Sequence, residues 1–139
     1  MSRLEKNLNW RIQDAIKHRD PIRVENSVGD GTPDINYAEG WIESKQIPMW
    51  PKRTDSTVRV PHYRPAQRAW HVKRSKAGGL VHVVIQIGDD VLVFDGLTAA
   101  RVLGHTTRRQ MEYYAKLILS PWDARRFSFF IDAESDEME

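Results

Sequence analysis

The chain has 139 residues, no cysteine, five tryptophans, 40% hydrophobic residues and a formal net charge of +2. That length argues for one domain around one core, and the missing cysteine excludes disulfides, cysteine zinc sites and thiol catalysis and fits a reducing compartment. The longest apolar run, "VHVVIQI", is too short to cross a bilayer, and the charged start "MSRLEKNLNW" lacks a signal-peptide core, so a cytoplasmic protein without membrane contact is expected.

In chain order, Ser2 to about His18 reads as a helix. Leu4, Leu8, Ile12 and Ile16 recur every fourth residue and define one apolar face. Ser2 and Glu5 have capping-box spacing, and Pro21 prevents continuation. Ile22 to Val28 is expected as a strand, and "GDGTP" is turn chemistry. Asp34–Tyr37 and Trp41–Ile47 read as two antiparallel strands joined at "AEG". Pro48 to Pro61 is irregular, basic and expected as a flexible surface loop. Pro65 suits the first turn of a helix that runs to about Ala77 and closes at Gly78-Gly79. Leu80–Ile87 is a buried strand with Val81, Val83, Ile85 and Ile87 on one face. "GDD" turns into a partner strand, Val91–Phe94. Helical patterns follow at Leu97–Leu103 and Thr107–Leu119.

This order predicts an α/β domain around a central mixed β-sheet flanked by helices, spanning residues 1–131. Residues 132–139, "DAESDEME", hold five acids and no base and are expected as a disordered tail. Without them the body carries about +7. Residues 52–76 hold eight Lys/Arg against one acid, Asp55. Such a block is either a solvated basic face or the footprint of a polyanion, because each phosphate it neutralises releases counterions. Interleaved Trp50, His62, Tyr63, Trp70 and His71 favour nucleic acid.

The stretch with the densest chemistry is "GTPDINYAEGWIESKQ". On a strand, Glu43 and Lys45 point to the same face. A hairpin register that pairs Asp34 with Glu43 would bring their Cβ atoms to roughly 5 Å on that face. Facing carboxylates destabilise a sheet unless a cation offsets them. Hard oxygen ligands favour Mg²⁺, with Mn²⁺ able to substitute. Such an ion polarises a phosphodiester and acidifies a bound water, while Lys45 would orient that water or stabilise charge on the phosphorane. Taken alone, Glu-x-Lys is an ordinary hairpin ion pair. The proline-Asp after a glycine turn, the short hairpin and the apolar residue before Glu43 make a compound signal.

The segments "RVENSVGDGTPD", "WIESK" and "RPAQRAWHVKRSKAGG", in that order between Arg23 and Val93, resemble the PD-(D/E)xK nuclease superfamily. The chain looks most like small VRR-NUC-type nucleases and related phage proteins. The resemblance implies a restriction-endonuclease-like core and a metal-dependent endonuclease. Asp34 and Glu43 would bind metal, Lys45 would be the catalytic lysine, and the carbonyl of Ser44 would complete the metal shell. In stand-alone members the implied substrate is branched DNA, including Holliday junctions, cut by a homodimer. A phage origin would place the protein in the host cytoplasm.

Other residues carry two readings each. Glu5 is either the acid that this superfamily often places on its first helix or a helix cap, and Glu25 is a rival for the same metal position. Asp30 reads as turn chemistry. Gln67 resembles the superfamily's helical glutamine; at helical spacing Gln67, His71 and Arg74 form a stripe facing either phosphate or solvent. Trp70 and Trp41 read as core rather than stacking platforms. Lys52, Arg53, Arg59, Arg64, His71 and Arg74 are the candidate DNA contacts. Tyr113, Tyr114, Leu117 and Ile118 are the candidate dimer interface. The rival functions are a DNA-binding module that does not cut and a nuclease for flaps, nicks or plain duplex.

Overall fold

A computed structural model describes residues 3–24 and 30–137, with side chains in the first helix from residue 7 onward. Helix α1 (Arg3–Ala15) leads through a 3-10 turn (Lys17–Arg19) to β1 (Ile22–Arg23), β2 (Ile35–Asn36) and β3 (Gly40–Ile47). Then come α2 (Pro65–Lys76), β4 (Leu80–Ile87), β5 (Asp90–Asp95), α3 (Gly96–Val102), α4 (Arg108–Tyr114), β6 (Leu117–Leu119) and α5 (Ala124–Asp136).

The chain is an α/β domain. Among the described residues six strands form one sheet in sequence order, and of its pairs only β3 and β4 run parallel, with Glu43 beside Val83 and Lys45 beside Ile85. A parallel pair needs a crossover, and the segment from Pro48 through α2 supplies it. Helices α1 and α5 cover one face of the sheet, and α2 and α3 cover the other. Two apolar layers result. Leu8, Ile12 and Ile16 of the α1 side meet Ile42, Val84, Phe127 and Ile131 on the first face. Val83, Ile85, Ile87 and Phe94 meet Ala99, Leu103 and Met111 on the second. Strand β4 is therefore covered on both faces, which is why it reads as a continuous apolar run.

Several expectations need correction. The acidic C-terminus is helical through Asp136. Phe127, Ile131 and Ser135 recur every four residues and are buried, while the acids lie on the rim and meet bases. Asp132 and Asp136 bind Arg19, at 2.6 and 3.2 Å. Glu134 lies 2.9 Å from the buried His82 and 3.2 Å from Lys116. Composition suggested a tail; the apolar stripe and these pairs make a helix. Residues Leu117–Leu119 are an edge strand paired to Val91–Val93 rather than the end of a helix, because α4 stops at Tyr114. The strand expected over Ile22–Val28 is two residues long, and residues 25–29, including Glu25, lie outside the described residues. The Ser2 cap also lies outside them.

The loop from Pro48 to Pro61 is irregular as expected, yet it is pinned rather than loose. Val58 and Val60 are buried in the second layer, Val58 N donates to Thr106 O at 2.9 Å, and Trp50 Nε1 donates to Asp90 Oδ2 at 2.7 Å. Among the described residues no helix is long and apolar enough to cross a membrane.

Candidate active site

The hairpin of β2 and β3 sets the register. Tyr37 and Gly40 exchange backbone hydrogen bonds of 2.9 and 3.3 Å around Ala38-Glu39, and Ile35 pairs with Ile42. One step further, Asp34 stands opposite Glu43. Glycine is required at both ends of this arrangement. A Cβ on Gly40 would lie 2.6 Å from Leu80 O, and one on Gly31 would lie 2.3 Å from Ala66 O. Gly31 also has φ 85°, a left-handed conformation that glycine adopts without a Cβ penalty. The turn over residues 30–34 thus presses against the first turn of α2.

Glu43 and Lys45 face α2 and are buried, at 2% and 6% exposure. Lys45 Nζ donates to His62 O at 2.7 Å and to Gln67 Oε1 at 3.0 Å, and lies 3.3 Å from Glu43 Oε2. These three partners match the three donors of an ammonium. Gln67 holds the set together. Its Oε1 also accepts from Arg64 N at 2.9 Å, capping α2, and its Nε2 reaches Glu43 Oε2 at 3.5 Å, the outer limit of a hydrogen bond.

Asp34 Oδ2 accepts from Ser44 N at 3.1 Å and lies 3.1 Å from Ser44 Oγ. In an extended strand a residue's N–H and C=O project toward the same edge. The Ser44 carbonyl therefore opens on the Asp34 side of β3, past the point where β2 stops. Ser44 Oγ also lies 2.5 Å from Asn9 Oδ1 on α1.

Burial, joined by the adjacent Asp34 carboxyl, close enough to hydrogen-bond with it, pushes the Glu43 carboxyl up to about 8. The Lys45 ammonium works in the opposite direction and is outweighed. Glu43 Oε1 is buried and has no hydrogen-bond partner among the described residues. Two abutting carboxyls, one with an orphaned buried oxygen, fit a small hard cation. Asp34, Glu43 and the Ser44 carbonyl would hold it. Among the described residues, no group of three or more His, Cys, Asp or Glu side chains gathers to bind a metal, so the fit rests on two carboxylates and a carbonyl. Glu5 belongs to the first turns of α1, one turn before Asn9; its side chain lies outside the described residues.

The candidate DNA contacts separate into two groups. Lys52, Arg53, Arg59, Arg64 and Arg74 are exposed. Arg53 is 3.3 Å from Asp55, and the Arg74 guanidinium lies over Trp70 and Trp41, 4.7 and 5.6 Å from their centroids. The two half-buried indoles meet edge-to-face at 5.1 Å. His71 does not belong with these residues. It is fully buried, its Nδ1 lies 2.6 Å from Tyr63 Oη, and burial pushes it down to about 4. A neutral core imidazole makes no phosphate contact, so the expected stripe of Gln67, His71 and Arg74 is split between interior and surface.

Sequence reasoning missed Asn9, Tyr63 and His62 as parts of this neighbourhood. Asn9 carries a usable signal, a polar residue one position from the apolar stripe of α1. His62 acts through its backbone, which no side-chain pattern reveals.

Fold and site together define an α/β domain in which a parallel strand pair carries a buried carboxylate–ammonium pair beside a second carboxylate. No family model matches the chain, and no curated protein matches it.

Proposed function

We propose that the protein is a divalent-metal-dependent endonuclease that hydrolyses DNA phosphodiester bonds. The observation that carries this reading is the contact of Asp34 with Glu43 beside the Lys45 ammonium, 3.3 Å from Glu43 Oε2. Bound Mg²⁺ would supply charge neutralisation at the phosphate and a more acidic water. The chain's own groups do the remainder. Asp34, Glu43 and the Ser44 carbonyl position the ion. Lys45, held by His62 O and Gln67 Oε1, presents fixed positive charge where the pentavalent phosphorus gathers negative charge. Water oxygen bonds to phosphorus, one P–O ester bond breaks, and the departing alkoxide takes up a proton. Lys52, Arg59, Arg64 and Arg74 hold the flanking phosphates.

Branched DNA of the Holliday-junction type, cut by a two-fold dimer in the cytoplasm, is the substrate and setting we favour. Such a junction has two-fold symmetry and requires two cuts. Tyr113, 81% exposed, and Tyr114 beside it suit a self-interface with the edge strand β6. Light scattering after size exclusion should give twice the chain mass of 16.2 kDa; a monomer at working concentration removes the dimer. The deciding assay uses a labelled four-way junction with Mg²⁺ or with EDTA. Cutting only with Mg²⁺ is expected. Binding without cutting in Mg²⁺ would leave a silent DNA-binding module.

A further inference from the structure

A second feature lies along the same face of β3. Side-chain alternation places Ile47 on the side of Glu43 and Lys45. At about 3.3 Å per residue, Ile47 sits roughly 13 Å from Glu43. There it lines a groove of about 430 Å³ with Trp50 and Val58 below, Met49 at the lip and Lys52 and Arg59 on the rim. Both walls are fixed. Trp50 is anchored through Nε1 to Asp90 and has the Arg108 guanidinium 4.5 Å from its ring centroid. Thr57 bridges to Thr107. Met49 is 67% exposed, an apolar side chain that the core does not use.

We propose that this groove takes one unstacked nucleobase of the strand being cut, with the neighbouring phosphates on Lys52 and Arg59. The inference rests on the nuclease reading and names its substrate class: DNA with unpaired nucleotides beside the cleavage point. Three observations favour a base over a protein side chain. The floor is apolar and the rim is cationic, which is the pattern of a single-strand stacking site. Among the described residues neither Lys52 nor Arg59 is ion-paired, whereas Asp55 is engaged by Arg53. The distance from Glu43 corresponds to about four stacked nucleotides at 3.4 Å each, fewer if the strand is extended, so one strand spans both places. A paired base offers only its edge to a protein; a concave apolar groove needs a whole face.

The test uses full-length protein in EDTA, so binding is read without cutting. The probes are a twelve-nucleotide oligo-dT with a central 2-aminopurine and a fully paired duplex of equal length, at one fixed salt. Wild type should quench the 2-aminopurine. Met49→Ala, at an exposed position that leaves the core intact, should weaken oligo-dT binding about fivefold or more, because it removes the apolar lip against which the base packs, with duplex binding unchanged. Arg59→Ala should weaken both. Equal oligo-dT affinity for wild type and Met49→Ala, or absence of quenching, overturns the groove even if Mg²⁺-dependent junction cutting is present. Selective loss in Met49→Ala with no cutting in Mg²⁺ keeps the groove and removes the nuclease.

Discussion

Glu43 is the residue whose environment makes the sharpest claim. Its ordinary value is 4.5, and burial with Asp34 pushes it up to about 8. Between those two pH values the folded protein keeps a proton that the unfolded chain has lost. Stability therefore falls as pH rises through that window. His71 acts in the other direction. It is pushed from 6.5 down to about 4, so stability falls as pH drops from 6.5 toward 4. In EDTA the melting temperature should peak between these slopes, near pH 5–6. Mg²⁺ must displace the Glu43 proton, so it should raise the melting temperature more at pH 8 than at pH 6. Glu43→Gln should flatten the alkaline slope and abolish the Mg²⁺ response. A Mg²⁺ response that survives in that variant, followed by scanning fluorimetry, sinks the metal assignment. Lys45→Ala gives a separate check. It removes the fixed charge but no exposed phosphate contact, so junction cutting should fall by at least 100-fold while affinity in EDTA changes less than about threefold. Cutting that persists would put the chemistry elsewhere.

The turn over residues 30–34 and α2 form one mechanical unit, and glycine substitutions separate its two contributions. Gly31 and Gly78 both have positive φ, 85° and 93°. Each alanine replacement therefore carries a backbone cost of about 1–3 kcal/mol. Only at Gly31 does the new Cβ meet backbone, 2.3 Å from Ala66 O; at Gly78 nothing lies within 4 Å. Gly31→Ala should melt lower than Gly78→Ala, and only Gly31→Ala should lose cutting, because it pushes the turn that leads to Asp34 away from the α2 backbone at Ala66 and Gln67. Equal losses in thermal melts and cleavage assays would show that the turn does not position the site. This dependence also explains what the sequence made legible. Glu43 and Lys45 could be placed on one face because strand alternation is a local rule. Strand β4 and helix α2 were equally readable, from an unbroken apolar run and from a proline-to-glycine frame. The helical character of residues 124–136 was hidden, because its signal, Phe127–Ile131–Ser135, overlaps an acidic run whose partners, Arg19 and His82, lie far away in sequence. His71 was misread for a similar reason. Its helical spacing defined a stripe, but Tyr63 and the sheet decide that the stripe is half buried.

The distribution of charge over both faces of the sheet decides how the protein meets a polyanion. The acids of α5 are largely spoken for, with Asp132, Asp136 and Glu134 bound to Arg19, His82 and Lys116. They lie with α5 on the face opposite α2. Within the block from Lys52 to Lys76 the one acid is Asp55, which Arg53 holds. Arg68 is also committed, with its guanidinium over the Tyr63 ring at 4.2 Å and bonded to Ala100 O at 3.0 Å. Of the candidate contacts, Lys52, Arg59, Arg64 and Arg74 remain exposed and available for phosphate. Four contacts on duplex DNA predict that log affinity falls against log salt with a slope of about −3.6, from roughly −0.9 per phosphate. Arg59→Ala should reduce that slope by about one and weaken binding to all DNA shapes alike, whereas Arg53→Ala should change it little. Fluorescence anisotropy between 50 and 200 mM KCl reads both quantities. A slope near zero would mean that DNA is not held through its phosphates. An unchanged slope in Arg59→Ala would place the contact surface away from the crossover loop that carries Arg59.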